Sequence, residues 1–185
     1  MRKLISAALL IGTFTSPVWA ADFDTMAQPD PARFGWTGFQ IGIQYGYGWA
    51  KDNFPDQGEG DYVGAYAAYN HQFGNVVIGA EIDFQQMDNI YDIIPATLED
   101  VIIVGGRAGY AFGRFLPYVT LGASYADTDL FGNDWGVAFG GGLDVMVTDN
   151  ILVGVKYLHH EYTDFNGSGI DAQLDSVGAR VGFKF

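Results

Sequence analysis

Val177-Gly178-Ala179-Arg180-Val181-Gly182-Phe183-Lys184-Phe185 closes the chain, and the fold follows from how it is read. Counting back from Phe185, every second residue is apolar: Phe183, Val181, Ala179 and Val177. Lys184, Gly182, Arg180, Gly178 and Ser176 alternate with them. Strict alternation marks a strand with two unlike faces. In a soluble sheet, the competing reading, the apolar face would be buried and the other wet. A last residue that is an apolar aromatic favours a membrane barrel instead, with the apolar face on lipid and the small or polar face inside.

The front of the chain sets the compartment. Met1-Arg2-Lys3 is basic, Leu4 to Phe14 is mostly apolar, and Pro17-Val18-Trp19-Ala20 ends on a small residue before Ala21. This predicts a secretory signal peptide over residues 1–20, cut between Ala20 and Ala21. Its apolar region is too short to span a bilayer as a helix, which weighs against an N-terminal anchor. No other stretch approaches the roughly 18 uninterrupted apolar residues of a helical span. A spanning protein therefore has to be a closed barrel.

Composition agrees. The 185 residues include 26 glycines, 16% aromatics and no cysteine. An exported domain without disulfides needs another source of stability, and a closed hydrogen-bonded sheet supplies one. The formal net charge is −13, and cleavage would also remove Arg2 and Lys3. That balance excludes the basic footprint of a nucleic-acid binder. It also opposes direct attraction to anionic headgroups.

Residues 21–35, with Pro29 and Pro31, read as a periplasmic linker, and 36–185 as the barrel domain. The first strand is the cleanest: Phe39, Ile41, Ile43, Tyr45, Tyr47 and Trp49 alternate with Gly38, Gln40, Gly42, Gln44, Gly46 and Gly48. Further strands are expected around Val63–Phe73, Val76–Gln85, Ile102–Phe112, Leu116–Ala126, Trp135–Val147, Ile151–His160 and Val177–Phe185. Short turns fall at Gly74-Asn75, Gly113-Arg114 and Thr148-Asp149-Asn150. Long polar loops are expected over Lys51–Gly60, Gln86–Thr97, Asp127–Asp134 and Tyr162–Asp171. An even strand number with alternating long and short connections is the outer-membrane pattern. The expected fold is all-β, an eight-stranded antiparallel up-and-down transmembrane β-barrel with both termini periplasmic. Tyr45, Tyr47, Trp49, Trp135 and Tyr157 are placed to form an aromatic girdle.

Several motifs resemble a family. Trp36-Thr37-Gly38-Phe39-Gln40-Ile41-Gly42 is similar to the opening W-T-G-F-Y-I-G of small alphaproteobacterial outer-membrane proteins, a porin-like group of surface antigens. Tyr69-Asn70-His71-Gln72-Phe73-Gly74 resembles its Y-N-W-Q-F-G. Arg107-Ala108-Gly109-Tyr110-Ala111-Phe112 with Leu116-Pro117-Tyr118-Val119-Thr120 resembles its R-x-G-Y-A-F and L-P-Y-V-T. His71 stands where that family usually has Trp, and Lys156 where Glu is common. The resemblance implies the outer membrane of a Gram-negative bacterium and a role as surface antigen or structural envelope protein; some relatives bind haem or host molecules. The closing strand also resembles the signature by which such proteins are handed to the barrel-assembly machinery, with Phe185, Phe183 and Val181 as its residues.

The expected interior charges are Glu81, Asp83 and Asp144 against Arg107, Lys156 and Arg180. Eight strands leave an interior only wide enough for side chains to fill, and charges withdrawn from water must be paired. The expectation is a polar network that closes the interior; a narrow channel for small solutes is the alternative. A lipid-modifying enzyme comes third, with His160, Ser168, Ser176, Glu161 and Asp175 as its only ingredients and no motif joining them. Neighbouring strand residues face opposite ways, so His159 and His160 cannot share an ion; His71 and His159 read as interface residues. Gly140-Gly141-Gly142 lacks the Lys and Ser/Thr of a phosphate loop. No catalytic, cofactor-binding or metal site is expected. The acidic loops read as solvated, with divalent-cation bridging as the alternative. The expected partners are outer-membrane lipid and lipopolysaccharide. Nothing follows Phe185, so no attached peptidoglycan-binding domain is expected.

Overall fold

The computed structural model describes residues 34–51, 59–87, 98–128, 132–162 and 172–185. The expected signal peptide, nearly all of the expected linker and the centres of the expected loops lie outside them.

Eight strands follow in order: β1 (Gly38–Lys51), β2 (Glu59–Phe73), β3 (Val76–Met87), β4 (Leu98–Tyr110), β5 (Phe115–Thr128), β6 (Gly132–Met146), β7 (Ile151–Tyr162) and β8 (Ala172–Lys184). Each pairs antiparallel with its sequence neighbour, and β8 pairs with β1, so the sheet closes into a barrel without a free edge. At the seam Ile41 faces Phe183, Ile43 faces Val181 and Gln44 faces Arg180. Gly74, at φ 61°, makes the turn from β2 to β3 in a conformation that side chains resist.

The ladders run further than alternation alone indicates. β2 starts at Glu59 and β4 at Leu98. The expected loop Asp127–Asp134 is mostly strand: Asp127 pairs with Asn133 and Thr128 with Gly132. The physical reason is that backbone pairing continues past the lipid, where both faces meet water and the apolar–polar rhythm disappears.

Face assignments follow the pleat. Ile43 is 65% exposed and Val119 64%, while their neighbours Gln44 and Thr120 are buried. An apolar surface encircling every strand is incompatible with water and suits a bilayer. Among the described residues no helix is long and apolar enough to cross a membrane, so the strands cross it.

The interior is layered. At the short-turn end, the periplasmic end in barrels of this kind, Phe34, Trp36, Val77, Ala111, Leu116 and Met146 form a buried apolar cluster. Toward the opposite end Tyr62, Met87, Val101, Ile103, Leu158, Tyr162 and Leu174 belong to a second. The charged residues lie between them. Inward positions near both ends of the strands are apolar and pack on one another, so the polar network occupies the middle of the interior.

The inward glycines have a steric purpose. A Cβ on Gly42 would meet the Tyr66 ring, and one on Gly182 would meet the Tyr66 hydroxyl. Gly46 and Gly178 make the same room for Tyr62, and Gly142 for the Tyr118 hydroxyl. Large rings from β2 and β5 thus lie flat across strands that carry no side chain there.

Candidate functional site in the barrel lumen

Six charged side chains from five strands meet in the middle layer. Glu81 and Asp83 are consecutive inward residues of β3, and Arg107, Asp144, Lys156 and Arg180 face inward from β4, β6, β7 and β8. All six are buried. Arg107 donates to Glu81 at 2.9 Å and to Asp144 at 2.7 Å. Arg180 grips Asp144 with two bonds, Nε to Oδ1 at 2.9 Å and Nη2 to Oδ2 at 2.5 Å, and reaches Glu81 at 3.0 Å. Lys156 contacts Glu81 and lies 2.8 Å from Asp83. Gln44 adds a bond to Asp83 at 3.2 Å.

The connectivity sets what this cluster can do. In an eight-stranded ring β3 and β7 stand opposite each other, so the Lys156 bridges to Glu81 and Asp83 run across the lumen. Arg107 and Arg180, from the opposed strands β4 and β8, share both Glu81 and Asp144. Aromatic faces complete the shell. Arg107 lies 3.9 Å from the Tyr118 ring centre, and Arg180 lies 4.6 Å from that of Tyr66 and 5.1 Å from that of Tyr118. A guanidinium between carboxylates and ring faces has exchanged its water shell for fixed partners. Three acids and three bases leave no formal excess of either sign.

The expected interior residues are therefore brought together, but Tyr66 and Tyr118 belong to the cluster as well. Their inward parity was readable; their reach across neighbouring strands was not. Tyr66 and Tyr118 hydroxyls are buried without a hydrogen-bond partner among the described residues, so these tyrosines act through their rings.

Among the described residues, His160 and Asp175, two ingredients of the lipid-enzyme alternative, are held apart. His160 is buried and hydrogen-bonded through Nδ1 to Ser124 Oγ at 2.9 Å, which in turn bonds Tyr162 OH at 2.7 Å. Asp175 sits on the opposite face of the wall, where it bonds Tyr157 OH at 2.6 Å and His159 Nδ1 at 2.7 Å. Ser168 lies outside the described residues. Ser124, a partner of His160, was not among the sequence candidates. Its inward parity was the available signal.

Of the expected girdle, Tyr45, Tyr47, Trp135 and Tyr157 are exposed on the outer face, and Trp49 is half-buried. Further aromatics pair at the short-turn end: Phe39 with Tyr69, Tyr110 with Phe112, and Phe183 with Phe185, at ring distances of 4.8, 4.7 and 5.1 Å. Val181 is exposed beside them, and Phe185 donates its backbone N–H to Phe39 O at 2.9 Å.

With this geometry in view, similarities to known proteins gain meaning. The model of the outer membrane protein beta-barrel domain matches residues 6–185. The 25 kDa outer-membrane immunogenic protein of Brucella ovis is 30% identical over 203 residues, spanning 98% of this chain and 96% of that protein. The 22 kDa outer membrane protein of Rhizobium leguminosarum is 30% identical over 161 residues, 80% of this chain and 72% of that one. Neisserial surface protein A superposes with a TM-score of 0.60 at 17% identity, covering 80% of this chain and 98% of its own. The Yersinia pestis attachment invasion locus protein gives 0.56 at 13% identity, covering 80% and 99%. These two structures share the fold.

Proposed function

Because the chain belongs to the outer membrane protein beta-barrel domain family, and so resides in the outer membrane of a Gram-negative bacterium, we propose that it is a non-conducting envelope protein that acts through structure and surface contacts. The observation that carries the reading is the set of Lys156 bridges from β7 to Glu81 and Asp83 on the opposed β3. A hydrated ion entering the lumen would have to break several charge-assisted bonds at once. The apolar clusters toward both ends add desolvation barriers.

The naming of the Brucella relatives as immunogenic supports surface exposure. The partners that fit are lipopolysaccharide and membrane lipid around the barrel, and the barrel-assembly machinery reading Val181, Phe183 and Phe185. A non-enzymatic role fits the separation of His160 from Asp175 by the barrel wall.

Planar-bilayer recording of the purified protein tests the reading. No steady conductance is expected. Large, steady steps would overturn it in favour of a small-solute channel. Release of fatty acid from lipopolysaccharide, abolished by His160→Ala, would overturn the non-enzymatic part.

A further inference from the structure

Trp36 is fully buried, yet it lies outside every strand, since β1 begins at Gly38. Its indole sits in the short-turn mouth of the barrel against Val77, Leu116 and Met146. Few polar contacts hold it there. Trp36 N donates to Gln72 Oε1 at 2.8 Å, and Nε1 donates to Gly113 O at 3.2 Å. Next to it Gln72 N donates to Thr37 Oγ1 at 3.0 Å, and Arg114 stacks over Phe34 at 4.3 Å. None of these is a rung of the closed sheet, so all can break while the barrel stays intact.

The chain enters the mouth by turning at Gly38, which has φ 140°. A Cβ there would strike the Phe185 carbonyl oxygen. A residue without a side chain is therefore required both by backbone conformation and by space. Gly38, paired with Asn70 as the first rung of β1, is therefore the point at which the segment 34–37 leaves the ladder.

Two inward side chains near the same end of the barrel lack partners among the described residues. Gln40 and Asn70 are both completely buried, and the amide N and O of each have no hydrogen-bond partner among the described residues. Gly38 faces Asn70 across the β1–β2 ladder, and Gln40 is the next inward residue of β1. Both amides thus stand at inward positions near the short-turn ends of β1 and β2, the end that holds Trp36. With the indole in the mouth no protein group among the described residues compensates them. With the indole withdrawn, water reaches them. Burial of Trp36 and Phe34 favours closure, and the bare amides oppose it.

We infer that Trp36 is a removable seal on the periplasmic mouth of the lumen, hinged at Gly38 and balanced against Gln40 and Asn70. The inference rests on the reading of the middle layer as the ion barrier: the seal admits water and small solutes to the lower lumen, and the six charges stop them there.

The absence of cysteine supplies a silent background for the test. In full-length protein in nanodiscs, Ala68→Cys, at a buried inward position facing Gln40 across the β1–β2 ladder, is treated with a small cationic methanethiosulfonate. With Trp36 present, labelling is expected to be slow but to go to completion. With Trp36→Ala it is expected to be at least ten-fold faster, and Trp36→Phe, which refills the mouth, should restore the slow rate. Heat-modifiable migration on unboiled gels verifies the barrel in each variant; Trp36→Leu replaces Trp36→Ala should the latter fail to fold. Equal rates with and without the indole would overturn the seal. Complete protection whenever Trp36 is present would make it a fixed stopper and overturn the hinge. Conductance of Trp36→Ala separates the two readings. Fast labelling without ion steps supports both, whereas fast labelling with ion steps keeps the seal and rejects the ion-pair barrier.

Discussion

Glu81 accepts from Arg107, Lys156 and Arg180, whereas Asp83 has Lys156 as its one cationic partner among the described residues. Neutralising either leaves buried positive charge, but Glu81→Gln affects three cations and Asp83→Asn one. Breaking a buried ion pair by removing one partner costs about 3–5 kcal/mol. Glu81→Gln should reach that range in guanidinium unfolding from lipid vesicles. Asp83→Asn should cost about 1–3 kcal/mol, the scale of one unmet buried group, because its amide still meets Lys156 and Gln44. Equal losses for the two would contradict the hub role of Glu81.

Between elements, fit depends on tyrosine rings lying over glycines of neighbouring strands. Gly182→Ala brings a methyl group onto the Tyr66 hydroxyl, an overpacking with a cost of about 1–3 kcal/mol. That hydroxyl has no hydrogen-bond partner among the described residues. Tyr66→Phe should therefore be neutral or slightly stabilising alone, and should recover most of the Gly182→Ala loss in the double variant. Additive effects in a double-mutant cycle would place the clash elsewhere. The same pairings show what was legible in the sequence. Alternation within each strand identified eight strands and put the six charges inside, since parity is a local property. It could not say at what height each residue stands, because height depends on the register between strands. Hence the joining of Tyr66 to Gly182 across β1, of His160 to Ser124 across β6, and the tucking of Trp36 into the mouth were not visible. Trp36 was also masked by its place in a motif, where it read as the start of a domain.

For the molecule as a whole, the outer surface dictates orientation in the bilayer. Leu121 and Gln86 both face outward, Leu121 near mid-height, facing Gly106 and Phe139, and Gln86 at the far end of β3. Leu121→Arg should destabilise the inserted barrel by about 2–4 kcal/mol and Gln86→Arg by about 0–1 kcal/mol. Similar costs, measured by refolding into vesicles, would show that the lipid band is set at another height. Within that band the middle layer holds three formal charges of each sign on rigid walls. A potential across the membrane exerts force on net charge, roughly 2.3 kcal/mol per elementary charge per 100 mV. On a cluster of zero net charge the forces cancel, and the opposing pulls are borne by the strands. Among the described residues the middle layer thus offers a transmembrane potential no net charge to move, and a rise in applied voltage should not open it.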